Sequence, residues 1–92
     1  MPALSAAQIS SHLGAVPSWQ IVDGELVRVF QFKDFLASMK FVNGVAALAE
    51  EAGHHPDIDI RYNKVRLALV THDAGGITAK DFDLAAKADK LA

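Results

Sequence analysis

Three of the four histidines of this 92-residue chain fall in one short stretch, His54, His55 and His72. Imidazole is the one side chain whose ordinary pKa, about 6.5, lies near neutral pH. Histidines that are held together can therefore transfer protons or bind a metal ion. A carboxylate, Asp81, follows a short distance along the chain.

Two predicted strands bring these histidines to one end of a sheet. Residues 57–61 alternate between charged and apolar side chains, which is the period of a half-buried strand. Residues 65–71 predict a second, more apolar strand. Residues 62–64 form the turn between them, where Asn63 tolerates left-handed backbone angles. Because strands joined by a tight turn are antiparallel neighbours, the three histidines should lie close together.

A predicted helix start places Asp81 beside the strand end that carries His72. Thr78 is the expected N-cap and Asp81 the third helical residue of a capping box, with Ile77 and Phe82 as its hydrophobic staple. At about 100° per residue, Asp81 points to the apolar face of this helix. Capping alone explains an acid at this position, and a functional role is compatible with it.

The upstream sequence predicts a further helix and a second hairpin. Residues 5–8 match a capping box, and the helix that they begin should end near Gly14 in a left-handed conformation. Asp23-Gly24 stands between the apolar runs 19–22 and 25–32. This dipeptide is a strong signal for a two-residue hairpin turn.

A long helix is expected between the two hairpins. Asp34 caps it, it runs to about Ala52, and Gly53 ends it and leads into His54. The helix carries two apolar stripes, more than one sheet face requires. A neighbouring helix could cover the second stripe, or the stripe could form a subunit interface with Gly44 permitting close approach. We expect the interface, and the stripe consists of Phe41, Val45, Leu48 and Ala52.

Length and composition favour one small α+β domain, 1–92. The expected architecture is a four-stranded antiparallel sheet with helices packed on one face, in the order α-β-β-α-β-β-α. The chain lacks a tract of about 18 apolar residues and a basic-then-apolar leader, so we expect neither a membrane span nor a signal peptide. Absence of cysteine fits a cytoplasmic setting. A net charge of −2 gives no electrostatic footprint for direct nucleic-acid binding.

Three interpretations compete for the histidine cluster. The histidines could be structural, they could bind a metal ion together with Asp81, or they could act as general acids and bases. Adjacent His54 and His55 side chains diverge, and the chain has no His-x-His or His-Glu-x-x-His spacing, which disfavours a metal site. General acid–base catalysis without a cofactor or metal fits the residue types best.

An ordered set of residues extends across nearly the whole chain. It comprises Trp19, Phe32-Lys33-Asp34-Phe35, Glu50, His54-His55-Pro56, Tyr62, Val65, Thr71-His72, Gly75, Thr78 and Asp81. At these spacings the set resembles the signature of the pterin-4a-carbinolamine dehydratase family. That family is also called dimerisation cofactor of homeodomain transcription factors.

This resemblance implies dehydration of a 4a-hydroxytetrahydropterin to the quinonoid dihydropterin, as in tetrahydrobiopterin recycling. It implies that His54 and His72 are the acid–base pair and that His55 binds and orients the ring. Asp81 would orient His72 or hold its charged form, and Glu50 would support His54. The implied substrate-binding residues are Gly53, His54, His55, Pro56, Thr71, His72 and Asp73, with Trp19 in a supporting role and no cofactor.

The resemblance also implies protein partners. A homodimer or homotetramer would form through the 34–52 helix. The alternative function is an oligomeric binding module, a partner of a transcription factor or of an aromatic amino-acid hydroxylase, which uses this helix as its contact surface.

Overall fold

A computed structural model describes residues 2–92, which contain three helices, four strands and one turn of 3-10 helix. In chain order these are α1 (Ala6–Leu13), β1 (Gln20–Val22), β2 (Glu25–Gln31), α2 (Phe35–Ala52), β3 (Asp57–Arg61), β4 (Lys64–Leu69), the 3-10 turn His72–Ala74, and α3 (Ala79–Leu91). The order α-β-β-α-β-β-α of an α+β fold is confirmed.

The four strands form one antiparallel sheet in the order β1-β2-β4-β3. On the two central strands, Leu26 lies opposite Leu69 and Phe30 opposite Val65, and all four side chains are buried. The helices pack on this face, where α2 and α3 add Phe41, Val45, Ala85 and Ala88 to the same core. Burial of this apolar surface is the main favourable term that holds the helices to the sheet.

The predicted caps and the first hairpin turn are confirmed. Both capping boxes are formed, at Ser5 for α1 and at Thr78 for α3. The Asp34 carboxylate accepts a hydrogen bond from the Ala37 amide at 2.8 Å. Asp23 and Gly24 have φ angles of 50° and 79°, as a turn with left-handed central residues requires.

Two local predictions are wrong. Gly14 has a φ of −59°, so α1 ends in right-handed geometry. In the second hairpin the left-handed residue is Tyr62, with a φ of 55°, and not Asn63. Asn63 is held by tertiary contacts, because its carbonyl accepts from the Phe32 amide at 2.8 Å and its side chain donates to the Phe32 carbonyl at 3.1 Å.

The second stripe of α2 is covered within the chain at Phe41 and Val45, while Leu48 is half-buried and Ala52 is exposed, so the expectation that it lacks cover is wrong for its first two residues. Val45 is 0% exposed and Phe41 is 4% exposed. A Cβ on Gly44 would lie 3.0 Å from the Leu91 side chain, so this glycine permits the close approach of the end of α3. The large apolar residues that α2 exposes are Phe35 and Leu36.

Strand β4 ends at Leu69, two residues earlier than predicted. Thr71 instead pairs with Gly76 across the 3-10 turn, which closes a short loop that carries His72. Within residues 2–92, none of the helices is both long and apolar enough to cross a membrane.

Candidate active site

His54 enters the site from the end of α2. Gly53, with a φ of 62°, ends the helix in left-handed geometry, and its amide donates to the carbonyls of Ala49 and Glu50. This reversal turns His54 towards α3, where its Nε2 lies 2.5 Å from Oδ1 of Asp81. The His54 side chain is 11% exposed and that of Asp81 is fully buried. Asp81 therefore orients His54, and the expectation that it orients His72 is wrong.

Asp81 also receives two hydrogen bonds at its other oxygen. The Thr71 hydroxyl donates to Oδ2 at 2.9 Å and the Thr78 amide donates to it at 2.8 Å. All three partners of Asp81 carry a proton that they can give, which suits an ionised carboxylate that only accepts. The same side chain thus closes the capping box of α3 and holds a histidine.

Counting protons fixes the direction of the hydrogen bonds that the two threonine hydroxyls make. The single hydroxyl proton of Thr71 goes to Asp81, so the Thr78 hydroxyl, 2.8 Å away, donates to Thr71. The Thr78 oxygen in turn accepts from the Lys80 amide at 3.3 Å. The tautomer of His54 in which Nε2 donates to the Asp81 carboxylate leaves Nδ1 as the ring nitrogen that can exchange a proton.

Thr71 is expected to bind substrate, and its hydroxyl also positions Asp81. Thr71→Val keeps the shape of the side chain and removes the proton given to Oδ2. We expect the rate of the reaction catalysed at this site to fall roughly tenfold, because the lost hydrogen bond goes to a charged group. The activity should fall mainly through kcat, and Thr71→Ser, which keeps the hydroxyl, should retain most of it. Steady-state kinetics of both variants test this expectation, and equal losses in the two would contradict it.

His72 lies in the loop that follows β4. The Thr71 amide donates to the Gly76 carbonyl at 3.0 Å, and the Gly76 amide donates to the Thr71 carbonyl at 3.3 Å. Gly75, with a φ of 74°, permits the tight turn between them. The His72 side chain is exposed, and no side-chain hydrogen bond to it is formed within residues 2–92. His72 is therefore presented on a closed loop and is free to meet a ligand.

His55 points away from Asp81, as expected of a residue adjacent to His54. Its Nε2 lies 2.5 Å from Oε2 of Glu50, and both side chains are largely exposed. Glu50 therefore supports His55, and the expectation that it supports His54 is wrong. The two histidines follow the left-handed Gly53 and reach different partners, His54 reaching Asp81 and His55 reaching Glu50.

One cavity of about 290 Å³ brings most of the expected site residues together. Its lining comprises Gly53, His54, His55, Val70, Thr71, His72, Asp73 and Lys80. Pro56 and Trp19 are not part of that lining. Trp19 is buried away from it, with its indole Nε1 donating to Asp89 at 2.9 Å. No cluster of three or more potential metal ligands occurs within the described part of the chain.

Sequence reasoning missed two of the lining residues, Val70 and Lys80. The sequence predicts Val70 as part of a continuous strand. In the structure β4 ends at Leu69, and Val70 lines the cavity. Lys80 is exposed at the start of α3. Its place one residue before Asp81, in the first helical turn, was the signal that could have found it.

Comparison with known proteins decides the family. The family model described as pterin 4 alpha carbinolamine dehydratase matches residues 2–91. The chain belongs to this family. Two relatives provisionally named pterin-4-alpha-carbinolamine dehydratase, from Acidobacterium capsulatum and Chloroflexus aurantiacus, are each 58% identical over 91 residues. These matches cover 99% of this chain and 99% and 98% of the respective relatives.

Solved structures of other dehydratase-like proteins share the fold. The crystal structure of a transcriptional coactivator/pterin dehydratase from Brucella melitensis has a TM-score of 0.95 at 35% identity, over 98% of both chains. A pterin dehydratase-like protein identified as a RuBisCO assembly factor in the alpha-carboxysome has a TM-score of 0.65 at 28% identity. That likeness covers 79% of this chain and 84% of the other. Proteins that share this fold therefore include ones described by roles other than catalysis.

Proposed function

We propose that this protein is a 4a-hydroxytetrahydropterin dehydratase that works by histidine general acid–base catalysis. The observation that carries the proposal is the His54–Asp81 pair at a cavity that His72 also lines. Family membership supports a pterin as the substrate. The product is the quinonoid dihydropterin, and the expected physiological setting is tetrahydrobiopterin recycling in the cytoplasm, which fits a chain without cysteine.

In the proposed mechanism His54 is the base and His72 is the acid. Nδ1 of His54 takes the proton from N5 of the pterin, and the electrons of that N–H bond form the C4a=N5 double bond. The C4a–O bond breaks, and His72 gives its proton to the departing hydroxyl, which leaves as water. Asp81 favours this step because its carboxylate stabilises the positive charge that develops on His54.

The adjacent histidines His54 and His55 thus have different roles. His55 has an exposed partner, Glu50, and lines the same cavity, so we assign it to binding and orienting the ring. Gly53 and Asp73 line the cavity as well and complete the proposed binding set. Each proton transfer by a positioned group contributes on the order of a hundredfold or more.

A dehydration assay on freshly generated 4a-hydroxytetrahydropterin tests the proposal. The protein should accelerate formation of the quinonoid dihydropterin above the uncatalysed rate. Saturation with substrate should be observed, and an equal concentration of an unrelated protein should have no effect. A rate equal to the uncatalysed one would refute the dehydratase function and favour the alternative below.

The second candidate is an oligomeric binding module that contacts a transcription factor or an aromatic amino-acid hydroxylase through α2. It is favoured by Phe35 and Leu36, which are 48% and 78% exposed on that helix. The Brucella melitensis protein is described as both a coactivator and a dehydratase, so the two functions are compatible. A homodimer or homotetramer through α2 belongs to the same proposal.

Self-association through the exposed face of α2 has its own test. Leu36→Glu should shift the protein towards monomer, because it puts a charge where an interface would exclude water. Sedimentation velocity at micromolar concentration measures the change. Gln31→Glu, at an exposed position outside α2, is the control and should leave the assembly unchanged. A wild-type protein that sediments as a monomer would rule out this interface.

A further inference from the structure

A second, smaller cavity adjoins the candidate active site. Its volume is about 100 Å³, roughly a third of that of the first. His54 and Lys80 line both cavities, so the two meet at these side chains. The remaining lining of the smaller cavity comes from the end of α2 and from α3, as Ala52, Asp83, Leu84 and Lys87.

This cavity carries an excess of positive charge. Lys80 and Lys87 face it together with one carboxylate, that of Asp83. Neither lysine forms an ion pair within residues 2–92. Leu84, only 3% exposed, adds an apolar side to the cavity.

The proposed dehydration does not use these lysines. Its reacting groups are N5 and the 4a-hydroxyl of the pterin, which need one base and one acid. The pterin ring brings no negative charge to this reaction that would require a lysine pair. A ligand group other than the reacting ring is therefore the candidate partner of the two lysines beside the proposed base.

Pterin chemistry indicates which group this is. C6 is bonded directly to N5 and carries the side chain that distinguishes one pterin from another. When Nδ1 of His54 takes the N5 proton, the C6 substituent begins beside His54, where the two cavities meet. The smaller cavity, which His54 also lines, adjoins this point.

We propose that the smaller cavity is a subsite for an anionic group on the C6 side chain, a phosphate monoester or a carboxylate. Lys80 and Lys87 would bind that group, since the lysine ammonium is a compact charge suited to phosphate and carboxylate oxygens. The proposal rests on the proposed function in one respect, the placement of N5 at His54. It adds pterins with a negatively charged side chain to the substrate class, beside the uncharged side chain of the tetrahydrobiopterin in the proposed function.

Equilibrium binding of stable, oxidised pterins tests the subsite without turnover. The probes are 6-hydroxymethylpterin, its phosphate monoester and 6-carboxypterin, followed by pterin fluorescence. We expect the phosphate monoester to bind about tenfold more tightly than the neutral alcohol, as charge-assisted hydrogen bonds allow. That advantage should shrink at about 1 M salt, where the screening length falls to roughly 3 Å.

Variants at one lysine assign the preference to this cavity. Lys87→Gln should bring the ratio of the two affinities close to one, and Lys87→Glu should favour the neutral alcohol. Lys64→Gln is the matched control, since Lys64 is an exposed lysine on β4 outside both cavities, and it should keep the wild-type ratio. Inorganic phosphate alone should compete with the phosphate monoester more strongly than with the alcohol.

Each outcome bears on the proposal. Equal binding of the alcohol and both anionic pterins, or a preference that survives in Lys87→Gln, would overturn it. A preference for both anions supports the general class, and a preference for the monoester alone narrows the class to phosphate. The dehydration assay is separate. If the protein prefers anionic pterins but does not dehydrate 4a-hydroxytetrahydropterin, the subsite is supported and the proposed function is refuted. If it dehydrates the substrate but shows no preference for anionic pterins, the proposed function is supported and the subsite is refuted.

Discussion

Replacing His54 by alanine is expected to lower the rate of 4a-hydroxytetrahydropterin dehydration by at least about a hundredfold, because it removes the proposed base. His72→Ala should have an effect of the same order through loss of the acid. His12→Ala is the control: His12 is exposed on α1, where it stacks on Phe82 with ring centroids 5.0 Å apart, outside the cavity. Initial rates above the uncatalysed reaction provide the measurement.

The double variant His54→Ala/His72→Ala gives a sharper test. Groups that act as one unit are less than additive, so its rate should lie close to that of the more damaged single variant. Far-UV circular dichroism should show folded protein, because His72 is exposed and His54 borders the cavity. Retention of the wild-type rate in the double variant would mean that the acid–base assignment is wrong.

Val45→Glu is expected to prevent folding. Val45 is 0% exposed in the core between α2, α3 and the sheet, so the variant would bury a charge without a partner. Such a charge costs several kcal/mol even after the structure relaxes. That is a large fraction of the roughly 5–15 kcal/mol that stabilises a typical domain.

Ala46→Glu is the matched control for this variant. Ala46 is the next residue of α2 and is exposed, so the same new side chain there should leave the fold intact. Thermal unfolding followed by circular dichroism compares the two variants. A folded Val45→Glu protein that is monomeric, beside an oligomeric wild type, would restore the subunit interface that the sequence suggested for this stripe.

The sequence was sufficient for the fold because its signals are local. The alternation in residues 57–61, the Asp23-Gly24 turn and the capping residues each act over a few positions. Coverage of α2 was not predictable in the same way. It depends on where α3 lies in three dimensions, and neither helix pattern reveals that the end of α3 reaches Gly44.

The site shows the same division between local and tertiary information. The hairpin pattern was enough to bring His54 and His72 to one cavity. The pairing of each carboxylate with its histidine was not readable, because it depends on the backbone rotation at Gly53. After this left-handed residue, His54 pairs with Asp81 and His55 pairs with Glu50. The expected partners were His72 for Asp81 and His54 for Glu50.

Asp81 links the first turn of α3 to the orientation of the proposed base, His54. One of its oxygens closes the first turn of α3 and the other holds His54, so a molecule whose first turn has frayed has also released its histidine. The fraction of molecules with this turn intact therefore sets an upper limit on the active fraction. Helix ends open at lower free energy than cores. On heating, activity should consequently decline before the global unfolding transition, in step with amide hydrogen exchange at Thr78 and Asp81.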